Sequence, residues 1–312
     1  MKNPVTHGLH HITAMSGEPH ETRKFYTDIL GLRMVKKSVN QDSPDTYHLF
    51  FADADGNPGT DITFFPWPSL PQARDGYGIV SETAFAVPTG SLNFWKERLE
   101  ANDIEIYESG KRFGEDTIRF FDYHGMQVAI TETENPRDTA IWKDSSVPAE
   151  HQLRGFHTAR LQLYDTQPTD FLLTRYMGFT KVEEEDGWIR YESGKGGSGT
   201  LIDIKAFPDW QPARGGKGGV HHVAFRTKDR DVSEALRNEV KKAGLNPSPV
   251  IDRFWFESVY FREPNGVLFE LATDGPGFDR DEDPAHLGEK LILPPWLETQ
   301  RAEIEANLPD ID

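Results

Sequence analysis

Two short segments near opposite ends of the chain carry the residues best suited to chemistry: Gly8-Leu9-His10-His11-Ile12-Thr13-Ala14 and Gly219-Val220-His221-His222-Val223-Ala224-Phe225. Each has a glycine, an aliphatic residue, two adjacent histidines and then a β-branched residue. Ile12, Thr13, Val220 and Val223 favour strand, and strand side chains alternate between faces. One histidine of each pair can therefore enter a barrel interior as a ligand while its neighbour braces something behind it. One such pair alone reads as two ordinary strand histidines; the same pair twice, in the same local setting, points to a shared purpose.

The elements that must position these histidines repeat four times along the chain. From Gly8 to about Trp67 the pattern predicts a strand (Leu9–Ala14), a helix (Glu21–Leu30) capped by Gly31, and three strands (Leu32–Val39, Thr46–Ala52, Asp61–Phe65). A proline-rich connector, Pro66–Arg74, leads to a second unit with its strand over Val80–Val87 and its helix over Ser91–Ala101. Residues 135–153 read as an irregular linker. The third unit opens at Gly155-Phe156-His157-Thr158, with a helix around Pro168–Tyr176 ending at Gly178. A second proline-rich connector, Phe207–Arg214, mirrors the first down to a matching Ala-Arg, and the fourth unit follows with its helix over Val232–Ala243.

The chain thus reads as a tandem duplication of a pair of βαβββ units: one pair in residues 1–145 and another in 146–275. Residues 276–312 form an extension expected on or near the active barrel. It serves as a packing tail anchored by Leu297, Ile304 and Leu308, or as a lid. A single βαβββ unit cannot bury both faces of its sheet, so the expected fold is α+β, with units paired into two curved, partly open barrels.

Composition narrows the function. With 34 basic against 51 acidic residues the formal charge is −17, which disfavours nucleic acid and anionic membrane as partners. The chain has no cysteine, so disulfides, thiolate ligands and a cysteine nucleophile are excluded, and a cytoplasmic location is the simplest expectation. No apolar run is long enough to span a bilayer, and the first residues lack the apolar core of a secretion signal.

Superposing the repeats shows which copies keep polar groups. His10-His11 of unit one corresponds to Ser81-Glu82, His157-Thr158 and His221-His222 of units two, three and four. On the last strand, Glu270 of unit four stands opposite Ala129 of unit two and Thr63 of unit one. Units one and four hold nearly all the ligand chemistry, and units two and three look vacant. Unit one is therefore expected to pack on unit four and unit two on unit three, within one chain or across a swapped dimer; a homo-oligomer is possible.

The βαβββ repeats, the helix ending Phe25-Tyr26-Thr27-Asp28-Ile29-Leu30-Gly31-Leu32 and the segment Pro264-Asn265-Gly266-Val267-Leu268-Phe269-Glu270 resemble the vicinal oxygen chelate superfamily of glyoxalases and type I extradiol dioxygenases. Within it, the two His-His pairs, the tail Leu293-Pro294-Pro295-Trp296-Leu297-Glu298 and the overall length resemble the hydroquinone-type ring-cleaving dioxygenases. That resemblance implies His11, His222 and Glu270 as metal ligands, with Fe(II) as the ion and Mn(II) fitting almost as well. A glyoxalase site would have a fourth protein ligand where Thr63 stands. It also implies His10, His221 and Thr13 beside the ligands, with Arg253 and Tyr260 in the pocket. Phe254, Trp255 and Phe256 line an aromatic pocket or pack the core.

The activity so implied is cleavage of a small aromatic diol by O2, a histidine taking the phenolic proton. A glyoxalase or lyase on the same fold, and a non-catalytic small-molecule-binding protein, are the competing readings. His7, His20, His48, His124, His151 and His286 need only loop or surface positions.

Overall fold

In the computed structural model residues 5–311 are described. Unit one comprises β1 (Leu9–Ser16), α1 (Pro19–Lys24) running on into a wider π turn (Phe25–Ile29), β2 (Arg33–Asn40), β3 (Ser43–Ala52) and β4 (Asp61–Pro66). Unit two comprises β5 (Ile79–Pro88), α2 (Leu92–Ala101), β6 (Ile106–Arg112), β7 (Glu115–Phe121) and β8 (Gln127–Thr133). Unit three comprises β9 (Phe156–Leu163), α3 (Thr166–Tyr176), β10 (Thr180–Glu185), β11 (Trp188–Glu192) and β12 (Leu201–Ala206). Unit four comprises β13 (Val220–Thr227), α4 (Arg230–Lys242), β14 (Ile251–Asp252), β15 (Phe256–Arg262) and β16 (Leu268–Pro276). The helices form because apolar residues recur at helical spacing: Leu92, Trp95 and Leu99 on α2, Ser233, Leu236 and Val240 on α4, all buried. Asp165 and Asp229 cap α3 and α4 by accepting from Gln167 N and Val232 N.

The strands form two curved eight-stranded sheets, in the orders β14-β15-β16-β13-β1-β4-β3-β2 and β10-β11-β12-β9-β5-β8-β7-β6. Each sheet takes one unit from each half of the chain: one with four, and two with three. The fold is α+β, as the repeats predict, and the partners come from the same chain. Antiparallel pairing of β1 with β13 makes the first junction, and of β5 with β9 the second. The two proline-rich connectors also pair with each other: Arg74 and Arg214 exchange both backbone hydrogen bonds at 2.9 and 3.0 Å, and Ala213 N donates to Tyr77 O.

Both junctions are bulged, and at matching places. On β1 the register shifts between Leu9 and Ile12, across His10-His11, and on β13 the extra residue is His221. On β5 and β9 the corresponding extra residues are Ser81 and His157. A bulge re-aims neighbouring side chains, so adjacent residues need not point to opposite faces.

The C-terminal extension closes over unit one. Ile292 N donates to Lys37 O, and Leu293, Leu297 and Ile304 pack on Val39. Its α5 (Arg301–Asn307) is a short helix whose Ile304 is buried. A buried lysine on β2 ties the extension down: Lys36 Nζ donates to Phe278 O at 3.0 Å, to Asp281 Oδ1 at 2.8 Å and to Glu282 Oε2, and lies over the Trp255 ring. Among the described residues no helix is long and apolar enough to cross a membrane.

Replacing Lys36 with Met removes the cation that two carboxylates share in a dry setting. We expect a loss of about 3 kcal/mol, the usual cost of breaking a buried ion pair. Denaturant melts check it, and limited proteolysis should cut first within residues 277–300; wild-type stability and cleavage would discard the anchoring role.

Candidate metal centre and pocket

Strand pairing brings His11, His222 and Glu270 to one point. β13 lies between β1 and β16, with Thr13 opposite His222 and Ala224 beside Glu270. His11 Nε2 lies 3.1 Å from His222 Nε2; Glu270 Oε2 lies 3.2 Å from the first and 3.0 Å from the second. All three side chains are buried.

Partners behind the imidazoles fix which ring nitrogen carries the proton. His10 Nε2 lies 3.0 Å from the Thr273 carbonyl oxygen, which can only accept, so that nitrogen holds the hydrogen. His10 Nδ1 then accepts from His11 Nδ1 at 2.9 Å, which leaves His11 Nε2 as the nitrogen that faces Glu270 and could ligate a metal. Burial, with His11 alongside, keeps His10 well below the usual imidazole range and hence neutral. His221 Nδ1 lies 2.8 Å from His222 Nδ1.

Burial alone would raise the Glu270 carboxyl, but the two imidazoles facing it hold it well below the usual carboxylate range. Its Oε1 accepts from Ser258 Oγ at 2.5 Å, while the buried Oε2 faces the two imidazoles. Burial works against charge on the His11 imidazole, but the Glu270 carboxylate 3.2 Å away raises its pKa above the usual imidazole range, so without a metal a proton between the two holds the cluster together. A metal cation would take the place of that proton, and two imidazoles with one carboxylate suit a divalent transition metal. The residues fit a metal.

Thr63, which stands to β1 as Glu270 stands to β13, is committed elsewhere: its Oγ1 lies 2.7 Å from Thr13 Oγ1 and 2.8 Å from His48 Nε2.

Beside the triad lies a cavity of about 40 Å³ lined by His11, His222, His48, Arg253, Tyr260 and the aromatic rings of Phe50, Phe65, Trp255 and Phe256. Its mouth is clasped by two hairpin tips: Arg253 binds Asp42 through both Nη atoms at 3.1 and 2.8 Å, and Gln41 Nε2 donates to Arg253 O. The Arg253 guanidinium also lies 5.4 Å from the centre of the Tyr260 ring, and burial pushes the Tyr260 phenol up, so it stays protonated.

Of the residues singled out from sequence, Arg253 and Tyr260 thus line the cavity, as do Trp255 and Phe256; His10, Thr13 and His221 do not. His10 is buried behind His11, and Thr13 is bonded to Thr63. His221 is exposed, its ring against Phe65. The local distortion required for adjacent histidines to touch is present as the bulges. His7, His20 and His286 are exposed as expected, but three other histidines are more than surface residues. His124 bonds Thr22, His151 stacks on Phe94, and His48 is part of the pocket wall. Strand alternation could have found His48, because it shares a face of β3 with Phe50.

The second barrel is not vacant. By strand register Asp203 occupies the place of Glu270, and Glu82 that of His11, with Thr158 and Ala129 at the other two. Guanidinium groups supply the positive charge. Arg190 binds Asp203 through two nitrogens at 2.7 and 3.0 Å, Arg160 approaches it at 3.3 Å, and Arg112 and Arg119 bind Glu82. His157 Nε2 lies 2.8 Å from Glu115, which Arg190 also contacts. Asp203 escapes a comparison of first strands because its place in unit three is on the last strand, β12.

The Glyoxalase/Bleomycin resistance protein/Dioxygenase superfamily model matches residues 8–135 and 171–271. A Bacillus subtilis (strain 168) protein named "Putative ring-cleaving dioxygenase MhqE" is 43% identical over 306 residues, covering 98% of this chain and 99% of that protein. "Chlorohydroquinone/hydroquinone 1,2-dioxygenase" of Sphingobium indicum is 33% identical over 309 residues, covering 97% and 96%. A crystal structure of a "putative dioxygenase" from Bacillus subtilis subsp. subtilis str. 168 superposes with a TM-score of 0.93 at 39% identity, covering 99% of this chain and 98% of that one.

Two expectations follow from the geometry. His11→Ala, His222→Ala and Glu270→Gln should each weaken Fe(II) or Mn(II) binding by at least about tenfold with the fold retained, since truncating a ligand removes coordination but little packing. Metal analysis should find one ion per chain, and tight stoichiometric metal in any of the three variants removes that residue from the set. In the other barrel, Arg190→Met should cost about 3 kcal/mol by stranding a buried carboxylate. Adding Asp203→Leu should restore most of that loss in the same melts; equal stability of the single variant would refute the pairing.

Proposed function

Because this chain belongs to the Glyoxalase/Bleomycin resistance protein/Dioxygenase superfamily, we propose that it is a metal-dependent ring-cleaving dioxygenase in which His11, His222 and Glu270 hold Fe(II). The substrate is an aromatic diol, a hydroquinone or a catechol, opened with incorporation of O2. The observation that carries this reading is the buried convergence of three potential ligands, with no fourth among the described residues, beside an aromatic-walled cavity. The printed names of the relatives support it independently. Mn(II) accepts the same donors.

Bound to this triad, the metal supplies the redox partner that O2 requires and a seat for a ring oxygen. The protein does the rest. Thr63 is tied to Thr13 and His48, which leaves its side of the site to substrate. His10, pinned between the Thr273 carbonyl and His11 Nδ1, orients the His11 imidazole, so we assign it to positioning rather than to removing a substrate proton; His221 touches His222 through Nδ1 and keeps its Nε2 for proton transfer. Arg253 and the protonated Tyr260 face the cavity as donors to developing negative charge on oxygen. Phe50, Phe65, Trp255 and Phe256 exclude water and stack on the ring.

A benzene-sized guest takes a cavity of about 150 Å³, so a ring enters only as the walls part. The Asp42–Arg253 bridge across the mouth is the contact that must yield, and it releases the guanidinium towards the guest.

The test is oxygen uptake by protein loaded anaerobically with Fe(II), against a panel of hydroquinones, catechols and monophenols. Uptake of one O2 per diol, with loss of the ring absorbance and no reaction of monophenols, is the expected result. Isomerisation of a glutathione hemithioacetal without oxygen uptake would establish a lyase instead, and tight diol binding with no turnover a binding protein.

A further inference from the structure

His48 is not accounted for by the triad, yet it stands in the pocket wall, its ring 3.9 Å from that of Phe50 and 4.4 Å from that of Phe65. Register gives it a counterpart. On β15, Ser258 pairs with Ala272, two residues beyond Glu270; on β3, where Phe50 pairs with Thr63, His48 falls opposite Phe65, two beyond Thr63. Ser258 and His48 are thus equivalent in the two units, and each bonds the residue at the equivalent corner of the site: Ser258 to Glu270, His48 to Thr63. In unit four that contact braces a carboxylate. In unit one the corner is a threonine, so the larger side chain has no ligand to brace.

The hydroxyl chain behind His48 determines which of its nitrogens carries hydrogen. Thr13 and Thr63 are fully buried, and the Thr13 hydroxyl has Thr63 Oγ1 as its hydrogen-bond partner. Both hydroxyl hydrogens are used only if Thr13 donates to Thr63 and Thr63 donates to His48 Nε2. Nε2 then accepts, and the hydrogen sits on Nδ1, which takes no protein partner among the described residues. Burial, and the nearby positive charge, keep the ring well below its usual range, consistent with a neutral imidazole.

We propose that His48 is a substrate-contacting residue: held by the Thr13–Thr63 hydroxyl chain, it presents Nδ1–H to the cavity as a hydrogen-bond donor to an oxygen of the bound aromatic diol. This rests on the dioxygenase reading. The ring fills space that a fourth protein ligand and its brace would otherwise occupy, and converts that corner from holding metal to orienting substrate. Phe50 and Phe65 fix the plane of the imidazole, and the hydroxyl chain fixes its tautomer, so the donor is preorganised before a guest arrives.

The test is anaerobic calorimetric titration of the metal-loaded protein with hydroquinone and with catechol. The variants are His48→Phe, which keeps the stacking volume and deletes the donor, and Thr63→Val, which leaves the ring but frees its tautomer. Both should bind one metal ion per chain as the wild type does. His48→Phe should bind diol about tenfold or more weakly, and Thr63→Val several-fold more weakly, as expected for a donor to a partly charged oxygen. The double variant should be no worse than His48→Phe, because the hydroxyl acts only through the ring. Wild-type affinity in His48→Phe overturns the proposal, as does an additive double variant; if His48→Phe does not fold, unchanged affinity in Thr63→Val overturns it instead. Wild-type protein that binds neither diol overturns the functional reading, and this proposal with it.

Discussion

The antiparallel pairing of β1 with β13 is the constraint on which the site depends. It joins strands from opposite ends of the chain, and it removes the open edge that each βαβββ unit would otherwise expose. Because the pairing is bulged on both strands, two neighbouring histidines in each can touch through Nδ1 while the inner ring of each pair reaches the same point. The same bulges recur between β5 and β9, where Ser81 and His157 take the irregular positions. The distortion therefore belongs to the repeat, and the histidines exploit a bend that the fold already makes.

The two barrels solve one electrostatic problem in different ways. Each buries carboxylate at the equivalent corner, Glu270 in one and Asp203 in the other, where burial without a counter-charge would cost several kcal/mol. In the first barrel the neighbours are two imidazoles, His11 and His222, which hold the carboxylate and could hold a cation with it. In the second they are guanidinium groups, whose fork geometry satisfies the carboxylates from within the chain. The first barrel thereby keeps a cluster that could hold a cation beside a cavity, and the corresponding corner of the second is filled by its own side chains.

Much of this was legible in the sequence, for identifiable reasons. The duplicated Gly-x-His-His motif, the glycine after each first helix and the matching proline-rich connectors fixed four units and the pairing of one with four, because each depends on local chemistry that survives repetition. Helix starts shifted by a residue or two, as at Pro19, where a proline in the first turn begins α1 ahead of the apolar pattern. The site was legible where a residue sits in a repeated strand position, as His11, His222 and Glu270 do. His48 escaped because its neighbours suggested only an ordinary half-buried strand, and its significance comes from Thr63, fifteen residues on. The Asp42–Arg253 clasp escaped because hairpin tips carry no periodic signal. The arginines around Asp203 escaped because a network of long-range ion pairs leaves no local spacing to read.

The crossing of units between halves has a consequence for how the protein is made. On the ribosome, unit one emerges first but its partner strand β13 and the carboxylate of β16 emerge near the end. Unit two can complete its sheet earlier, once β9 through β12 are out, so the arginine-filled barrel closes while the other waits with β1 unpaired. Nested closure of this kind delays the longest-range contacts, which slows folding and leaves an exposed strand edge in any nascent or truncated chain. The cluster of His11, His222 and Glu270 is thus complete only once β16 has been made, after every strand of the other barrel.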